Sequence, residues 1–334
     1  MRRTVLVAVL LIERSSGLTI VEQSLHKNHR PPPGLRHVEV PERIFAVKQA
    51  LESAPFASVL SWTSSAAACK QCTTDDAIAA LQLAHSHEML EAVFLMSQTG
   101  GGFDSDTYCA PGSWEAMLEA TRAWLNVLSL ASSGAGPSFA LTRPAGHHAT
   151  RDRSMGFGLV NFAAASSLAH LDAHPDATLS ILDWDVHYGN GVASILGDES
   201  RVRYCSLHEY GGFPGSGMDT ADCGVLGNLL HLPLPKEAGS DEFLSALRDK
   251  ALPFLLEPQP SILLICAGYD AVAADTLATM RLSPRDFGAA VRAILAVGFP
   301  RERIALGLEG GYNLDEEKGM PAAVRETCAA LLSS

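Results

Sequence analysis

The sequence contains no run of about twenty apolar residues, which is the length that a helix needs to cross a bilayer. The opening stretch, Met1 to Ile12, has two arginines and a short apolar run that ends at Glu13 and Arg14, so it resembles a signal peptide only weakly. We therefore expect a soluble, intracellular protein, cytoplasmic or nuclear, with no membrane partner.

The sequence also lacks an excess of basic residues and a cysteine framework. Lys and Arg number 25 against 37 Asp and Glu, a formal net charge of −12, and no basic stripe is present to neutralise nucleic-acid phosphates. We therefore expect no direct contact with nucleic acid.

The seven cysteines are odd in number and scattered, which indicates reduced thiols. Cys69 and Cys72 have the spacing of a zinc-binding pair, but no second pair follows, so we interpret them as a surface loop.

The composition is that of a large folded domain. With 334 residues, 47% of them hydrophobic, the chain is long enough to bury a large core, and we predict a single domain over residues 1–334. A proline-rich loop from Asn28 to Pro41 precedes a helix on which Ile44, Val47 and Leu51 recur at helical spacing. Two further helical patterns are predicted, Asp75 to Met96 and Ser113 to Leu130, joined by a Gly- and Asp-rich segment over residues 100–112.

The second half of the chain repeats a short apolar run, a polar segment and a helix. Continuous apolar strands between helices predict a parallel sheet that is covered on both faces. The predicted strands are Phe139 to Leu141, Leu179 to Leu182, Val202 to Leu207, Ile262 to Ala267 and Ile304 to Leu308.

Chemically reactive side chains follow four of these strands. In open parallel sheets, ligands bind beyond the carboxyl ends of the strands. The segments found there are RPAGHH (143–148), DWDVH (183–187), GYD (268–270) and EGGY (309–312). A lone Asp after a strand is usually a helix cap, and a lone His is usually a satisfied polar group. Their coincidence at one edge favours a metal site, because two carboxylates and one imidazole leave positions open for water and substrate. Asp185 and His187, two apart on extended chain, point the same way.

The strings RPAGHHA (143–149), DWDVHYGNG (183–191), CAGYDA (266–271) and EGGY (309–312) resemble the signature of zinc-dependent histone deacetylases and their acetylpolyamine-hydrolysing relatives, in the class II branch. The resemblance covers residues 28–330. It implies the arginase/deacetylase fold, a three-layer α/β/α sandwich around a mostly parallel eight-stranded sheet. It also implies one zinc ion held by Asp185, His187 and Asp270, although a hard, Asp-rich site accepts iron as well.

The resemblance implies a role for each remaining site residue. His148 is the general base and then the acid toward the leaving amine, while His147 mainly supplies electrostatics. Asp183 and Asn190 are the partners that orient His147 and His148, respectively. Tyr312 donates its hydroxyl to the developing oxyanion. A structural potassium ion is implied at a set of residues behind the zinc: Asp183, Asp185, His187, Ser206 and Leu207.

A narrow channel for the acetylated side chain is also implied. Its walls are expected to come from Gly156, Phe157, Phe213, Leu277, Gly310 and Gly311. The alternative is that both phenylalanines are aromatic residues of the core. The acidic loop Asp104, Ser105 and Asp106 is a candidate rim that accepts hydrogen bonds from a substrate backbone, and a solvated loop is the alternative.

Leu277 occupies the position where an acidic residue in relatives attracts polyamines, so the resemblance favours acetyl-lysine in proteins. The alternatives are a deacetylase of acetylpolyamines or other small acetylated amines, and an inactive acetyl-lysine-binding scaffold. A dimanganese arginase-like enzyme would want further Asp ligands where this chain has His147 and His148. Two residues near the site depart from the family pattern: Tyr188 where a second His is common, and Phe162 where a second Asn is common.

Overall fold

The computed structural model describes residues 17–65, 67 and 72–333. Cys69, one half of the cysteine pair interpreted as a surface loop, lies outside the described residues, as does the weakly signal-like stretch Met1 to Ile12. Within the described ranges, no helix combines the length and apolar character needed to cross a bilayer.

Eight strands form one sheet in which each neighbouring pair is parallel, as the sequence pattern predicted, whereas the family resemblance implied a mostly parallel sheet. A two-stranded antiparallel hairpin lies apart from it. The strands are β1 (Leu18–Glu22), β2 (Leu60–Ser64), the hairpin strands β3 (Gly101–Gly102) and β4 (Tyr108–Cys109), β5 (Ser138–Leu141), β6 (Leu179–Asp183), β7 (Val202–Glu209), β8 (Leu229–Leu234), β9 (Ile262–Ala267) and β10 (Ile304–Leu308). The order across the large sheet is β2-β1-β5-β10-β9-β6-β7-β8.

The five predicted strands are confirmed as β5, β6, β7, β9 and β10, but three strands of the large sheet and the two short hairpin strands were missed. β1 lies in the opening segment that shows little pattern, and β2 is only partly buried. β8 contains Pro233, which argues against a strand inside a sheet. β8 is one of the two edge strands of the sheet, where a residue without an N–H is tolerated. The proline therefore weakens the strand pattern of this segment without preventing the strand.

Helices cover both faces of the sheet and produce the three-layer α/β/α architecture. They are α1 (Glu42–Glu52), α2 (Thr74–Ala84), α3 (His87–Thr99), α4 (Ser113–Ser132), α5 (Phe162–Ala173), α6 (Asn190–Leu196), α7 (Ser240–Ala246), α8 (Leu252–Leu256), α9 (Pro284–Ala296) and α10 (Met320–Leu332). One apolar core contains residues of α1 and α7 to α10, and the other contains residues of α2 to α6. On the second face, Trp124 of α4 packs so closely on Gly307 of β10 that a Cβ there would lie 2.0 Å from the indole, so this strand position requires glycine.

The helix predicted from Asp75 to Met96 is two helices, because tertiary contacts override the continuous helical pattern at His85. The backbone of His85 is extended, and its Nδ1 lies 2.9 Å from the carbonyl oxygen of Thr150. Its Nε2 accepts a hydrogen bond from the N–H of Asn161 at 2.8 Å. Ser86 then starts α3 by accepting a hydrogen bond from the N–H of Met89.

Strand order determines where the reactive segments meet. β5, β10, β9 and β6 are consecutive in the sheet, and these are the four strands that the segments at 143–148, 309–312, 268–270 and 183–187 follow. Because all four strands run in the same direction, their carboxyl ends lie side by side at the centre of one sheet edge.

Candidate active site

Asp185, His187 and Asp270 converge at the centre of this edge. Asp185 and His187 follow β6, and Asp270 follows the adjacent β9. One ligand atom from each lies within 4.8 Å of the others. His187 Nδ1 is 3.1 Å from both Asp185 Oδ1 and Asp270 Oδ2, and both carboxylates are buried. The structure therefore brings together the three residues that were predicted as zinc ligands.

The chemistry of this cluster fits a divalent cation. Asp270 Oδ2 is buried and accepts no hydrogen bond of good geometry from the part of the chain that the structure describes. Burial and the neighbouring Asp185 carboxylate raise the pKa of Asp270 to about 6, an electrostatic cost that a bound cation relieves. A Cβ on Gly310 would lie 2.3 Å from Asp270 Oδ2 and 2.5 Å from Asp185 Oδ2, so this position must be glycine to leave the cluster open.

The tandem histidines His147 and His148 follow β5 and have different surroundings. His147 Nδ1 lies 3.0 Å from Asp183 Oδ2, and His148 Nδ1 lies 2.8 Å from Asn190 Oδ1. Each predicted partner is thus in hydrogen-bond contact with its imidazole.

Those surroundings drive the two pKa values apart. Burial lowers the pKa of both imidazoles. The carboxylates of Asp185 and Asp183 reverse this effect for His147 and raise its pKa to about 10. For His148, the imidazoles of His147 and His187 add to burial and hold the pKa well below its ordinary value. Two adjacent imidazoles with opposite shifts are suited to different roles in proton transfer.

A cavity of about 190 Å³ leads to these groups from the surface. Within the part of the chain that the structure describes, the cavity is lined by Asp106, His147, His148, Gly156, Phe157, His187, Phe213, Leu277 and Tyr312. The Phe213 ring meets His148 edge-on at 4.8 Å, and the Phe157 ring meets Tyr312 edge-on at 5.4 Å. Both phenylalanines therefore form walls of the cavity and do not belong to the core.

Gly156 lies against His148 and Phe213, and Gly310 lies against the carboxylates of the metal cluster. Gly156 has a φ of +57°, and a Cβ there would lie 2.5 Å from His148 and 2.8 Å from the Phe213 ring. The N–H of Gly310 donates to Asp185 Oδ2 at 2.8 Å, and the carbonyl of Gly311 accepts from Arg43 Nε at 2.8 Å. Gly310 thus contacts the metal cluster and Gly311 contacts Arg43, and their place in the channel wall, which the resemblance implied, stays a prediction.

The three candidate rim residues have different surroundings in the structure. Asp106 lines the mouth of the cavity. Asp104 faces its own turn, because its Oδ1 accepts the N–H groups of Asp106 at 3.1 Å and of Thr107 at 2.7 Å. Ser105 is exposed. Of these three residues, Asp106 is therefore the one that lines the cavity.

The residues of the predicted potassium site also lie together. Asp183 at the end of β6 pairs in register with Ser206 of β7, and Leu207 follows it. Ser206 and Leu207 are buried, and Ser206 Oγ lies 3.0 Å from His208 Nδ1.

The residues that depart from the family pattern are structural: the Tyr188 hydroxyl lies 2.9 Å from His231 Nε2, and Phe162 is buried at the start of α5.

Sequence reasoning missed a buried ion network behind the site. The fully buried Glu39 accepts a hydrogen bond from Arg143 Nε at 2.8 Å and pairs with Arg43 at 3.3 Å. The guanidinium of Arg43 also stacks on the Tyr312 ring, 4.7 Å from its centroid. A signal was present, because Arg43 lies four residues before Val47 and eight before Leu51, on the apolar face of α1.

Two other supporting residues were also missed. The hydroxyl of Tyr204 donates to Asp183 Oδ2 at 2.8 Å, so it orients the partner of His147. Glu309 Oε2 accepts the N–H groups of Gly146 at 2.6 Å and His147 at 3.1 Å, which fixes the loop of the tandem histidines. Tyr204 lies inside the apolar strand β7, where the sequence pattern does not distinguish it from a core position, whereas Glu309 belongs to the EGGY segment after β10 and was given no role of its own.

Comparison with known proteins shows what the chain is similar to. Residues 37–329 match the family described as "Histone deacetylase domain". An uncharacterized protein of Synechocystis sp. is 35% identical over 305 residues, 91% of this chain and 96% of that protein. The "Histone deacetylase-like amidohydrolase" of Pseudomonas aeruginosa is 30% identical over 314 residues, 89% of this chain and 81% of that protein. The crystal structure of the HDA15 HD domain superposes with a TM-score of 0.83 at 28% identity, covering 95% of this chain and 88% of that one.

Proposed function

Because this chain belongs to the histone deacetylase family, we propose that it hydrolyses the N-acetyl group of acetylated lysine side chains in proteins or peptides and releases acetate. The observation that carries the proposal is the convergence of Asp185, His187 and Asp270 beside a narrow cavity that also exposes His148 and Tyr312. We further propose that the matched region acts as a single domain.

Asp185, His187 and Asp270 would hold one zinc ion. Zinc, when bound, polarises the acetyl carbonyl and makes water a competent nucleophile near neutral pH. Three features support this assignment: the mixed carboxylate and imidazole donor set, the buried Asp270 Oδ2 that accepts no hydrogen bond of good geometry within the described residues, and the space next to Gly310.

The chain's own groups handle protons and charge. His148 is uncharged in its buried position, so it accepts a proton from the attacking water and then returns it to the leaving lysine amine. His147, held by Asp183, is cationic and stabilises negative charge in the site. Burial raises the pKa of Tyr312 well above its usual value, so its hydroxyl stays protonated. It can therefore donate a hydrogen bond to the oxyanion.

The cavity suits the methylene stem of a lysine, since Phe157 and Phe213 form its walls. At the mouth, the partly exposed Leu277 favours an acylated side chain that is attached to a peptide. Deacetylation of a small cationic polyamine is the second candidate. The observation that favours it is the Asp106 carboxylate, which lines the same cavity and attracts a cation.

We also propose a structural potassium ion at Asp183, Asp185, His187, Ser206 and Leu207, supported by the register that pairs Asp183 with Ser206. A reducing cytoplasmic or nuclear compartment is supported by the buried thiols of Cys109, Cys205, Cys266 and Cys328. The formal net charge of −12 argues against a nucleic-acid partner.

Turnover of an acetyl-lysine peptide and of N-acetylputrescine, each with and without a hydroxamate inhibitor, tests the proposal. We expect faster turnover of the peptide and inhibition by the hydroxamate. Faster turnover of N-acetylputrescine would favour the polyamine candidate, and peptide binding without turnover would identify a scaffold.

Two variants test the site assignment, with metal content measured by mass spectrometry. We expect Asp270→Ala to lose both zinc and turnover. Tyr312→Phe should keep its zinc and lose about a hundredfold or more in kcat, the typical effect of removing one oxyanion donor. A zinc-replete Asp270→Ala variant with normal turnover would refute the ligand assignment.

A further inference from the structure

The carboxylate of Asp275 connects two loops that carry different parts of the site. Its Oδ2 accepts the backbone N–H groups of Tyr312 at 2.7 Å and Asn313 at 3.0 Å. Its Oδ1 accepts the N–H of Leu277 at 3.1 Å. Asp275 is only 7% exposed, so these bonds are shielded from water. One side chain therefore links the backbone of Tyr312, the proposed oxyanion donor, to the backbone of Leu277 at the channel mouth.

Further contacts on either side show that this connection is part of a built structure. The Asn313 amide Nδ2 donates to the carbonyl of Ala274 at 2.6 Å, next to Asp275. In the same loop, Arg43 binds the carbonyl of Gly311 and stacks on the Tyr312 ring. The Tyr312 loop is thus held by two side chains, and Asp275 is the one that also binds the loop of Leu277.

We propose that Asp275 is a positioning residue that holds the Tyr312 hydroxyl against the reacting carbonyl and, at the same time, sets the location of Leu277 at the channel mouth. The inference rests on the proposed hydrolysis. Backbone N–H groups that donate to a buried carboxylate form charge-assisted bonds, which are stronger than neutral ones. Since the ring of Tyr312 moves with its backbone, release of these bonds displaces its hydroxyl, and a displacement of about 1 Å costs on the order of a hundredfold in rate.

Glu209 provides a matched control. Its Oε2 accepts both the N–H and the hydroxyl of Thr279, each at 2.7 Å, in the loop that carries Leu277. Glu209 is also largely buried, at 6% exposed. Its carboxylate therefore binds the loop that carries Leu277, while Asp275 binds that loop together with the Tyr312 loop.

The kinetic test compares Asp275→Ala, Asp275→Asn and Glu209→Gln on an acetyl-lysine peptide. We expect Asp275→Ala to lower kcat by about ten- to a hundredfold. Asp275→Asn should recover part of the loss, because the amide oxygen still accepts the N–H groups of Tyr312 and Asn313. Glu209→Gln should change KM while kcat stays within about threefold of the wild type.

The Tyr312→Phe background separates positioning from general damage. If Asp275 acts through the Tyr312 hydroxyl, Asp275→Ala in that background lowers kcat by no more than about threefold, because residues that act as a unit are not additive. Equal losses of kcat in both backgrounds would overturn the inference. A loss from Glu209→Gln as large as that from Asp275→Ala would overturn it as well.

Hydrogen exchange supplies a measurement that does not depend on turnover. We expect amides of residues 275–279 and 309–317 to exchange faster in Asp275→Ala, and amides of 275–279 alone to do so in Glu209→Gln. Unchanged exchange in 309–317 of Asp275→Ala would overturn the proposed connection. A wild-type protein that turns over neither acetylated substrate would refute the proposed function instead, and the exchange data would still decide whether Asp275 holds both loops.

Discussion

Replacing Glu39 with Gln removes a carboxylate that contacts two buried guanidiniums, those of Arg43 and Arg143. The replacement keeps the shape of the side chain and removes its charge. It also turns an amide N–H toward a cluster of donors that includes the Tyr108 hydroxyl, 3.0 Å from Glu39 Oε2. We expect a large loss of stability, because removal of one partner leaves buried charge without compensation.

The size of the loss follows from the pKa of Glu39. Burial alone would raise the pKa of Glu39, but Arg143, His29 and Arg43 outweigh burial and lower it from 4.5 to about 2. That difference corresponds to about 3 kcal/mol of unfolding free energy. Because the folded-state pKa is the lower one, this contribution is present above the unfolded pKa of 4.5 and is lost as the pH falls toward about 2. The gap between wild type and variant should therefore shrink to about 1.5 kcal/mol near pH 3.

Urea unfolding at pH 7 and near pH 3 measures this gap, with Glu22→Gln as the control. Glu22 pairs with Lys48 at 2.7 Å, but both side chains are partly exposed, so its loss should cost less than about 1 kcal/mol. Equal unfolding midpoints for Glu39→Gln and wild type at pH 7 would show that the network does not stabilise the fold. A gap that stays constant at low pH would show that the charge of Glu39 is not its source.

Two further predictions concern the metal cluster and its surroundings. Gly310→Ala should lose bound zinc while it keeps the fold, because the new Cβ would enter the space between the carboxylates of Asp185 and Asp270. Zinc content and circular dichroism check this against Gly239→Ala, whose Cβ would approach no atom closer than 3.7 Å, and full zinc occupancy in Gly310→Ala would contradict it. Tyr204→Phe removes the hydroxyl that donates to buried Asp183, so thermal or urea unfolding should show a loss of about 1.5–3 kcal/mol, and an unchanged midpoint would rule out this role.

The central strands and the residues that follow them were predictable because both are local features. β5, β6, β7, β9 and β10 are continuous apolar runs, and a run of this kind between helices indicates a buried parallel strand wherever it occurs. Beyond each run, the position of Asp185 or Tyr312 can be read directly from the chain. The family resemblance then implied a role for each of these residues.

The edges of the sheet and the break at His85 were not predictable in this way. Pro233 in β8 and the partly exposed residues of β2 give weak strand signals, and only their place at the sheet edges explains them. The helical pattern through His85 is interrupted by contacts with Thr150 and Asn161, which are distant in sequence. A local pattern does not contain such contacts.

The sequence by itself determined which side chains stand at the carboxyl ends of the strands, because strand direction and residue order are properties of the chain alone. Only the tertiary structure decided that β6 lies beside β9, which brings Asp185 to Asp270, and that Glu39 and Asp275 bind partners far along the chain. These contacts are selected by packing and by the need to pair buried charges, and both depend on the whole fold.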